Sequence, residues 1–506
     1  MANIDNRRIA KNTLLLYVRM LLIMAVSLYT SRIILEVLGI EDYGIYNLIA
    51  GFVTFLAFIS NALVSSMQRY FNVALGQDNL QRYKEVFSMS INILLLFCVL
   101  ILVVGETIGL WFVKNQLDIP SERIEAALWV YHISILTFIA NTLRTPFHAS
   151  IIANESMSFY AYISIFEVIL RLVMVFSLMI IPADSLIMYA ILYGLIIVLI
   201  NVVYIIYCRR RFEGCHYSFK RDKKLFVELL SFSGWSLMGQ SAVVVRNQGE
   251  AIMVNRFFTV VANAAMGVAS QVTSAIELFV TNFQIAFNPQ LTQTFANGKL
   301  NDHYTLMNRS AKFSYYMLLM LMVPIIFNMD YILSLWLKEV PPYTREFCIF
   351  ILISYLISAL STPASISIMA SGNIKQYEIT HTFVFLFGLA LSFVFLQLGF
   401  LPFYVAISGI VVQTLMLIVR LYYCKMETKY SYISFLAEVL KPIILVSLPS
   451  FIIPIALTIL FRNESLLLAG VEFLICVLCI YFGGLTKLEK GLIKEFMIKI
   501  RKFKQN

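Results

Sequence analysis

The stretch Thr145-Pro146-Phe147-His148-Ala149-Ser150-Ile151-Ile152-Ala153 returns 217 positions later as Thr362-Pro363-Ala364-Ser365-Ile366-Ser367-Ile368-Met369-Ala370. Tyr160 and Tyr377 follow the two copies at the same offset. At a neighbouring offset of 220, Gln68 meets Asn288 and Leu80 meets Leu300. A pattern shared at nearly constant spacing marks a duplication, and both copies lie within long apolar runs, so the duplicated object is a set of membrane helices. An even number of spans in each half keeps both halves in the same orientation. They are then expected to be related by an axis along the membrane normal, a plan used for alternating access.

Apolar runs extend over most of the chain. Of 506 residues, 60% are hydrophobic and 13% charged, with a mean hydropathy of +0.81, too apolar for a soluble core and a wetted surface combined. A span needs about 20 mostly apolar residues. Fourteen stretches qualify: 12–38, 43–67, 87–113, 125–150, 158–182, 184–208, 227–258, 263–288, 310–337, 346–371, 376–397, 401–424, 438–461 and 465–485. The expected fold class is an all-α polytopic membrane protein of about 14 transmembrane helices. Its divisions are a six-helix bundle in 1–208, a basic linker in 209–226, a second six-helix bundle in 227–424, and two extra helices with a basic tail in 425–506.

A net charge of +10 raises nucleic acid as a partner, but the basic residues sit in short loops between apolar runs rather than on one amphipathic face. With the N-terminus in the cytoplasm, 27 of the 39 Lys and Arg fall on the cytoplasmic side, among them Arg7, Arg8, Arg209, Arg210, Arg211 and Lys502. The opposite side holds five: Lys114, Arg123, Lys338, Arg345 and Arg462. Such asymmetry predicts N-in, C-in, multi-pass insertion in a cytoplasmic-type membrane. The first apolar stretch, which follows Arg7, Arg8 and Lys11, is too long for a signal-peptide core and lacks a small-residue cleavage site, so it reads as an anchor. The seven cysteines lack the paired spacing of a disulfide framework, and Cys476-x-x-Cys479 lies in an apolar run where one helical turn gives that spacing by chance. No metal site is expected.

Polar residues inside the spans point to function. Ser270, Ser274, Glu277, Thr281, Gln284 and Asn288 recur at steps of three and four in the eighth span, and Asn47, Thr54, Asn61, Ser65 and Gln68 do so in the second. A polar stripe at membrane depth must face a partner or water. The seventh span adds Ser236, Gln240, Arg246, Asn247, Glu250 and, near its far end, Arg256; the first adds Arg19, Arg32 and Glu36. Together these helices are expected to line one wet, net cationic cavity. A charge at the bilayer centre costs about 2.5–3.5 kcal/mol even on the lenient insertion scale, so each needs a stabilising partner. Arg32 with Glu36, Arg246 with Glu250 and Glu167 with Arg171 all have i,i+4 spacing, which offers intrahelical pairing as the plain structural reading. For Arg246, Glu250 and Glu277 the neighbouring stripe favours a hydrated functional site instead. Arg144 and His148 share a face of the fourth span; the imidazole is either structural or part of a proton relay.

Guanidinium groups bind phosphate and pyrophosphate in bidentate fashion and stay charged at physiological pH. The natural guest of such a cavity is an anionic headgroup, with Arg19, Arg32, Arg246, Arg256, Asn247, Gln240 and Asn61 as candidate contacts. Glu250 and Glu277 are candidates for binding a proton or Na+ and coupling its gradient to the cycle. No other cofactor is expected.

Asn12-Thr13, the long span ending Leu38-Gly39-x-x-Asp42-Tyr43-Gly44-x-Tyr46, and the repeated Thr-Pro-x-x-x-Ser-Ile segments resemble the bacterial polysaccharide flippase family, which serves O-antigen and capsule synthesis. That family belongs to the multidrug/oligosaccharidyl-lipid/polysaccharide exporter superfamily. The resemblance covers nearly the whole chain. It implies a MATE-like, V-shaped fold of two bundles and the flipping of undecaprenyl-pyrophosphate-linked sugar repeat units across the inner membrane. The implied partners are that lipid-linked oligosaccharide, membrane lipid and other polysaccharide-assembly proteins. The intramembrane arginines are where headgroup binding would fall, although none matches a family motif individually.

A multidrug or cation antiporter of the same superfamily is the nearest alternative, expected to have twelve spans and an acidic cavity. A lipid-linked peptidoglycan-precursor flippase is a second. A membrane glycosyltransferase would need a sizeable extracytoplasmic loop with catalytic carboxylates, and the longest here is Lys114 to Ile124. No Gly-x-x-x-x-Gly-Lys-Ser/Thr loop is present, which argues against a built-in ATPase. A channel would explain neither the duplication nor the basic cavity.

Overall fold

In hydrocarbon, backbone amides must be satisfied within the protein, and this chain meets that demand with helices. The computed structural model describes residues 6–54, 57–115, 119–181, 183–219, 222–258, 260–337, 339–461, 465–487 and 489–491. The α-helices among them are α1 (Asn6–Thr54), α2 (Ala57–Gly76), α3 (Leu80–Val104), α4 (Leu110–Asn115), α5 (Ile124–Ala153), α6 (Met157–Leu178), α7 (Ser185–Arg211), α8 (Lys223–Phe257) and α9 (Val260–Ala296). They continue with α10 (Leu300–Phe327), α11 (Met329–Trp336), α12 (Thr344–Ser371), α13 (Lys375–Gln397), α14 (Tyr404–Thr428), α15 (Tyr432–Phe435), α16 (Lys441–Phe461) and α17 (Leu466–Cys479). No strand occurs among the described residues.

The expected spans map closely onto these elements. Eleven described helices are long and apolar enough to cross a membrane, and they correspond to the third to sixth and eighth to fourteenth predicted spans. The chain is a multi-pass membrane protein. The remaining predicted spans fall in α1, α2 and α8. Gly39 (φ 75°, ψ 170°) breaks α1 where the sequence places the turn between spans one and two. The ninth predicted span is interrupted, with α10 ending at Phe327 and α11 beginning at Met329. Side chains such as Leu96 (61% exposed) and Leu467 (85% exposed) present the outer apolar surface that lipid requires.

Contacts divide the chain into two compact units, Met1–Ser241 with Ile285–Lys299, and Ala242–Gln284 with Leu300–Asn506. The helices α8 and α9 therefore each contribute to both. Within the first unit α5 packs on α7 and α3, α6 on α7, and α1 on α6; within the second α12 packs on α14 and α10, and α13 on α14. At offsets of 217 to 220 three of these pairings recur, α3, α5, α6 and α7 answering to α10, α12, α13 and α14.

The turns repeat in finer detail. After α2 the amides of Gln77, Asp78 and Asn79 donate to the carbonyls of Val73, Leu75 and Ala74; after α9 those of Asn297, Gly298 and Lys299 donate to Gln293, Phe295 and Thr294. Each bond is matched at 220. The left-handed residue in this cap is Asp78 (φ 51°) in one copy and Gly298 (φ 71°) in the other, and Glu155 (φ 52°) and Gly372 (φ 88°) form a second such pair, 217 apart. In the second unit α16 and α17 pack on α10 and on each other. The buried Lys312 Nζ of α10 donates to Glu489 Oε2 at 2.8 Å, and Asn328 Nδ2 donates to Glu472 Oε2 at 2.7 Å.

Candidate functional site

The first half of the polar stripe of α9, Ser270, Ser274 and Glu277, borders a cavity of about 580 Å3 in the second unit together with Thr273 and with Arg246, Asn247 and Glu250 of α8, whereas Thr281, Gln284 and Asn288 are not part of its wall. Residues of α12, α13 and α14, including Tyr355, Phe385 and Gln413, complete its wall. Arg246 is 6% exposed. Its Nε donates to Glu250 Oε1 at 2.8 Å and its Nη2 to Ser408 Oγ at 3.3 Å, while Ser392 Oγ donates to the same Glu250 oxygen at 3.0 Å. Tyr355 Oη donates to Glu277 Oε2 at 2.5 Å. Two glycines keep this packing open: a Cβ on Gly388 would meet Val412 Cγ2 at 2.3 Å and Arg246 Nε at 3.1 Å, and one on Gly409 would meet Arg246 Nη2 and Ser354 Oγ at 3.3 Å. One guanidinium and two carboxylates line this cavity, so it is not the net cationic chamber that the sequence leads one to expect.

A positive excess occurs instead inside the first unit. Glu167 of α6 takes Arg171 Nη2 at 2.5 Å and Arg144 Nη1 at 3.8 Å. Arg19 of α1 lies 4.3 Å over the Tyr160 ring and Arg144 lies 5.2 Å over Tyr204. The His148 ring sits between these aromatics, 5.2 Å from Tyr160 and 6.4 Å from Tyr204. Two guanidiniums thus share one carboxylate, and the third, Arg19, joins the group through the Tyr160 ring. The buried Nε atoms of Arg19 and Arg171 have no hydrogen-bond partner among the described residues. His148 and Tyr160 also line a small void of about 50 Å3, shared with Gln68, Asn72 and Asn288.

The chain matches the polysaccharide biosynthesis protein family over residues 9–295. It belongs to that family. In fold it is similar to a crystal structure of a MATE mutant, at 13% identity over 83% of this chain and 97% of the other, with a TM-score of 0.68. An outward-facing multidrug resistance MATE family transporter of the MOP superfamily aligns at 12% identity over 83% and 96% of the two chains, with a TM-score of 0.67. A MOP superfamily transporter from Pyrococcus furiosus, described as having a binding pocket of reversed polarity, aligns at 12% identity over the same shares with a TM-score of 0.63. No curated protein sequence matches the chain. The fold of this polysaccharide biosynthesis family member is therefore that of the MATE transporters, as the sequence resemblance implies.

Of the residues singled out from the sequence, Arg246, Asn247, Glu250 and Glu277 come together around the second unit's cavity. Gln240 does not join them: its Nε2 donates to Ser236 Oγ of its own helix at 3.2 Å. Arg256, near the end of α8, is exposed and is absent from the cavity wall. Arg19 belongs to the first unit's cationic cluster, and the side chains of Arg32 and Asn61 lie outside the described residues. Sequence reasoning missed Ser392, Ser408, Tyr355 and Gln413, because an isolated hydroxyl or amide in an apolar run carries no periodic signal. It also read Arg144, Glu167 and Arg171 without the aromatic rings that join them to Arg19.

Proposed function

We propose that this protein flips undecaprenyl-pyrophosphate-linked oligosaccharide repeat units from the inner to the outer leaflet of a bacterial cytoplasmic membrane, by ion-coupled alternating access. The observation that carries the reading is the cationic cluster of the first unit. Arg144 and Arg171 share the one carboxylate of Glu167 and Arg19 lies over the Tyr160 ring of the same cluster, inside helices where an uncompensated charge is costly, and unpartnered guanidinium N–H groups remain. A pyrophosphate supplies the missing negative charge and the acceptors. Membership of a polysaccharide biosynthesis family makes a lipid-linked sugar the natural bearer of that pyrophosphate. Glu277, half-buried on the cavity wall of the second unit, is the better candidate for proton or Na+ coupling, because Glu250 is already held by Arg246 and two serines.

The test is flipping in proteoliposomes with a defined lipid-linked oligosaccharide, imposing proton and Na+ gradients separately. Arg19→Ala and Arg144→Ala should each slow flipping roughly ten- to hundred-fold, the worth of one charge-assisted hydrogen bond of about 1.5–3 kcal/mol. Glu277→Gln should abolish the response to the coupling gradient. Wild-type rates in correctly folded arginine variants would refute the reading. The carboxylate excess of the second unit's cavity favours one rival, a cation antiporter. Gradient-driven movement of a lipophilic cation, with no movement of the lipid-linked oligosaccharide, would establish it instead.

A further inference from the structure

We infer that the cavity of the second unit is a glycan subsite, holding neutral sugars of the lipid-linked substrate rather than its pyrophosphate. The inference rests on the proposed function and assigns one part of the substrate to one group of residues. Four side-chain amides stand in this wall: Asn247 and Gln248 from α8, Asn263 from α9 and Gln413 from α14. The Gln413 amide oxygen is buried with no hydrogen-bond partner among the described residues, and no hydrogen bond joins the other three side chains to the described protein. Each amide offers two N–H donors and one carbonyl acceptor. The wall therefore presents donors and acceptors in mixture, which is what the hydroxyls and acetamido groups of sugars require.

Charge separates this guest from an anion. The cavity's one guanidinium, Arg246, is buried and already neutralised at 2.8 Å by Glu250, and Glu277 adds a second carboxylate to the wall. A pyrophosphate would face a net negative enclosure with no free cation to meet it. A sugar hydroxyl meets no such penalty and donates readily to Glu277 or to the Gln413 carbonyl. Tyr355 supplies aromatic surface for the apolar face of a pyranose ring. The volume, about 580 Å3, lies within the 300–1,000 Å3 or so typical of small-molecule sites. Polar lining is not general to the protein's voids: a comparable one between α2, α3 and α8, of about 640 Å3, is apolar except for Ser233.

The experiment compares two substrates in proteoliposomes of the full-length protein, undecaprenyl pyrophosphate bearing one N-acetylhexosamine and the same lipid bearing a neutral pentasaccharide. Gln413→Ala and Asn263→Ala should each lower pentasaccharide-lipid flipping about ten-fold, as expected when a polar partner is removed, and slow the monosaccharide-lipid less, since one sugar offers fewer hydroxyls for the amides to hold. Arg19→Ala should slow both, since both carry the pyrophosphate. A second readout uses detergent-solubilised protein: the free pentasaccharide should raise the melting temperature of the wild type and not that of Gln413→Ala. Equal slowing of both substrates by the amide variants, no slowing of either, or stabilisation by tetraphenylphosphonium in place of the sugar would overturn the subsite. Failure of the wild type to move either lipid would instead overturn the function on which it rests.

Discussion

Arg246 and Glu250 show what a single pair of residues demands of its neighbours. Their i,i+4 spacing is written in the chain, but the hydroxyls of Ser392 and Ser408 that complete the pair come from α13 and α14. So do Gly388 and Gly409, which keep this packing open. A buried ion pair is costly to break and cheap to replace. Removing one partner strands a charge at about 3–5 kcal/mol, whereas replacing both by apolar groups is often neutral. Arg246→Met is therefore expected to lower the melting temperature of detergent-solubilised protein sharply, and Arg246→Met with Glu250→Met to recover most of the loss. A double variant less stable than the single one would mean that the pair is held for more than charge compensation. In the first unit Arg19 is stationed over Tyr160 and leaves its Nε unmatched, so its loss should tell on flipping rather than on folding.

At the scale of elements, the duplication is best seen in the caps that end α2 and α9. The same three backbone bonds close both, yet one copy places Asp78 and the other Gly298 in the left-handed region. Nothing lies within 4 Å of a Cβ built on Gly298, so Gly298→Ala meets only backbone strain, and should cost about 1 kcal/mol. Asp78→Gly trades strain relief against greater chain entropy when unfolded, and should change stability by less than about 0.5 kcal/mol; paired melting curves test both. A second device ties the part of α1 just after its Gly39 break to the starts of α5 and α7. Arg123 donates to Asp42 Oδ1 and Oδ2 at 2.8 and 2.5 Å and to Asp184 Oδ2 at 2.6 Å, while Asp184 caps α7 by accepting from the amides of Leu186 and Ile187. The hydrogen bond from Arg123 holds the Asp184 carboxyl below its usual range. Its folded-state affinity for protons is thus lower than in the unfolded chain. Its contribution is present above the ordinary carboxylate value of about 3.9 and fades as pH falls through the depressed one. Asp184→Ala should destabilise the protein at pH 7, and the gap from wild type should narrow at pH values below about 4; a gap independent of pH would assign the loss to the cap alone.

For the whole molecule, the charge bias predicts which loops share a side. A cysteine placed at Asp78 or Asn373 should react with an impermeant maleimide only after permeabilisation of cells, and one at Pro341 or Phe400 in intact cells. Six of the seven native cysteines are buried and Cys479 is half-buried, which keeps background labelling low. Labelling of Asp78 from outside would reverse the topology. The helical class, the multi-pass insertion and the duplication were all legible in the chain, since hydropathy, loop charge and a repeated Thr-Pro-x-x-x-Ser-Ile are properties of residues near one another in sequence. The polar face of α9 was legible for the same reason, because helical periodicity is local. Which charge meets which partner was not. Glu277 finds Tyr355 and Arg246 finds Ser408, across 78 and 162 positions of chain. The make-up of the second unit's cavity follows from those distant contacts, for the reach of a side chain is set by packing in space and not by distance along the chain.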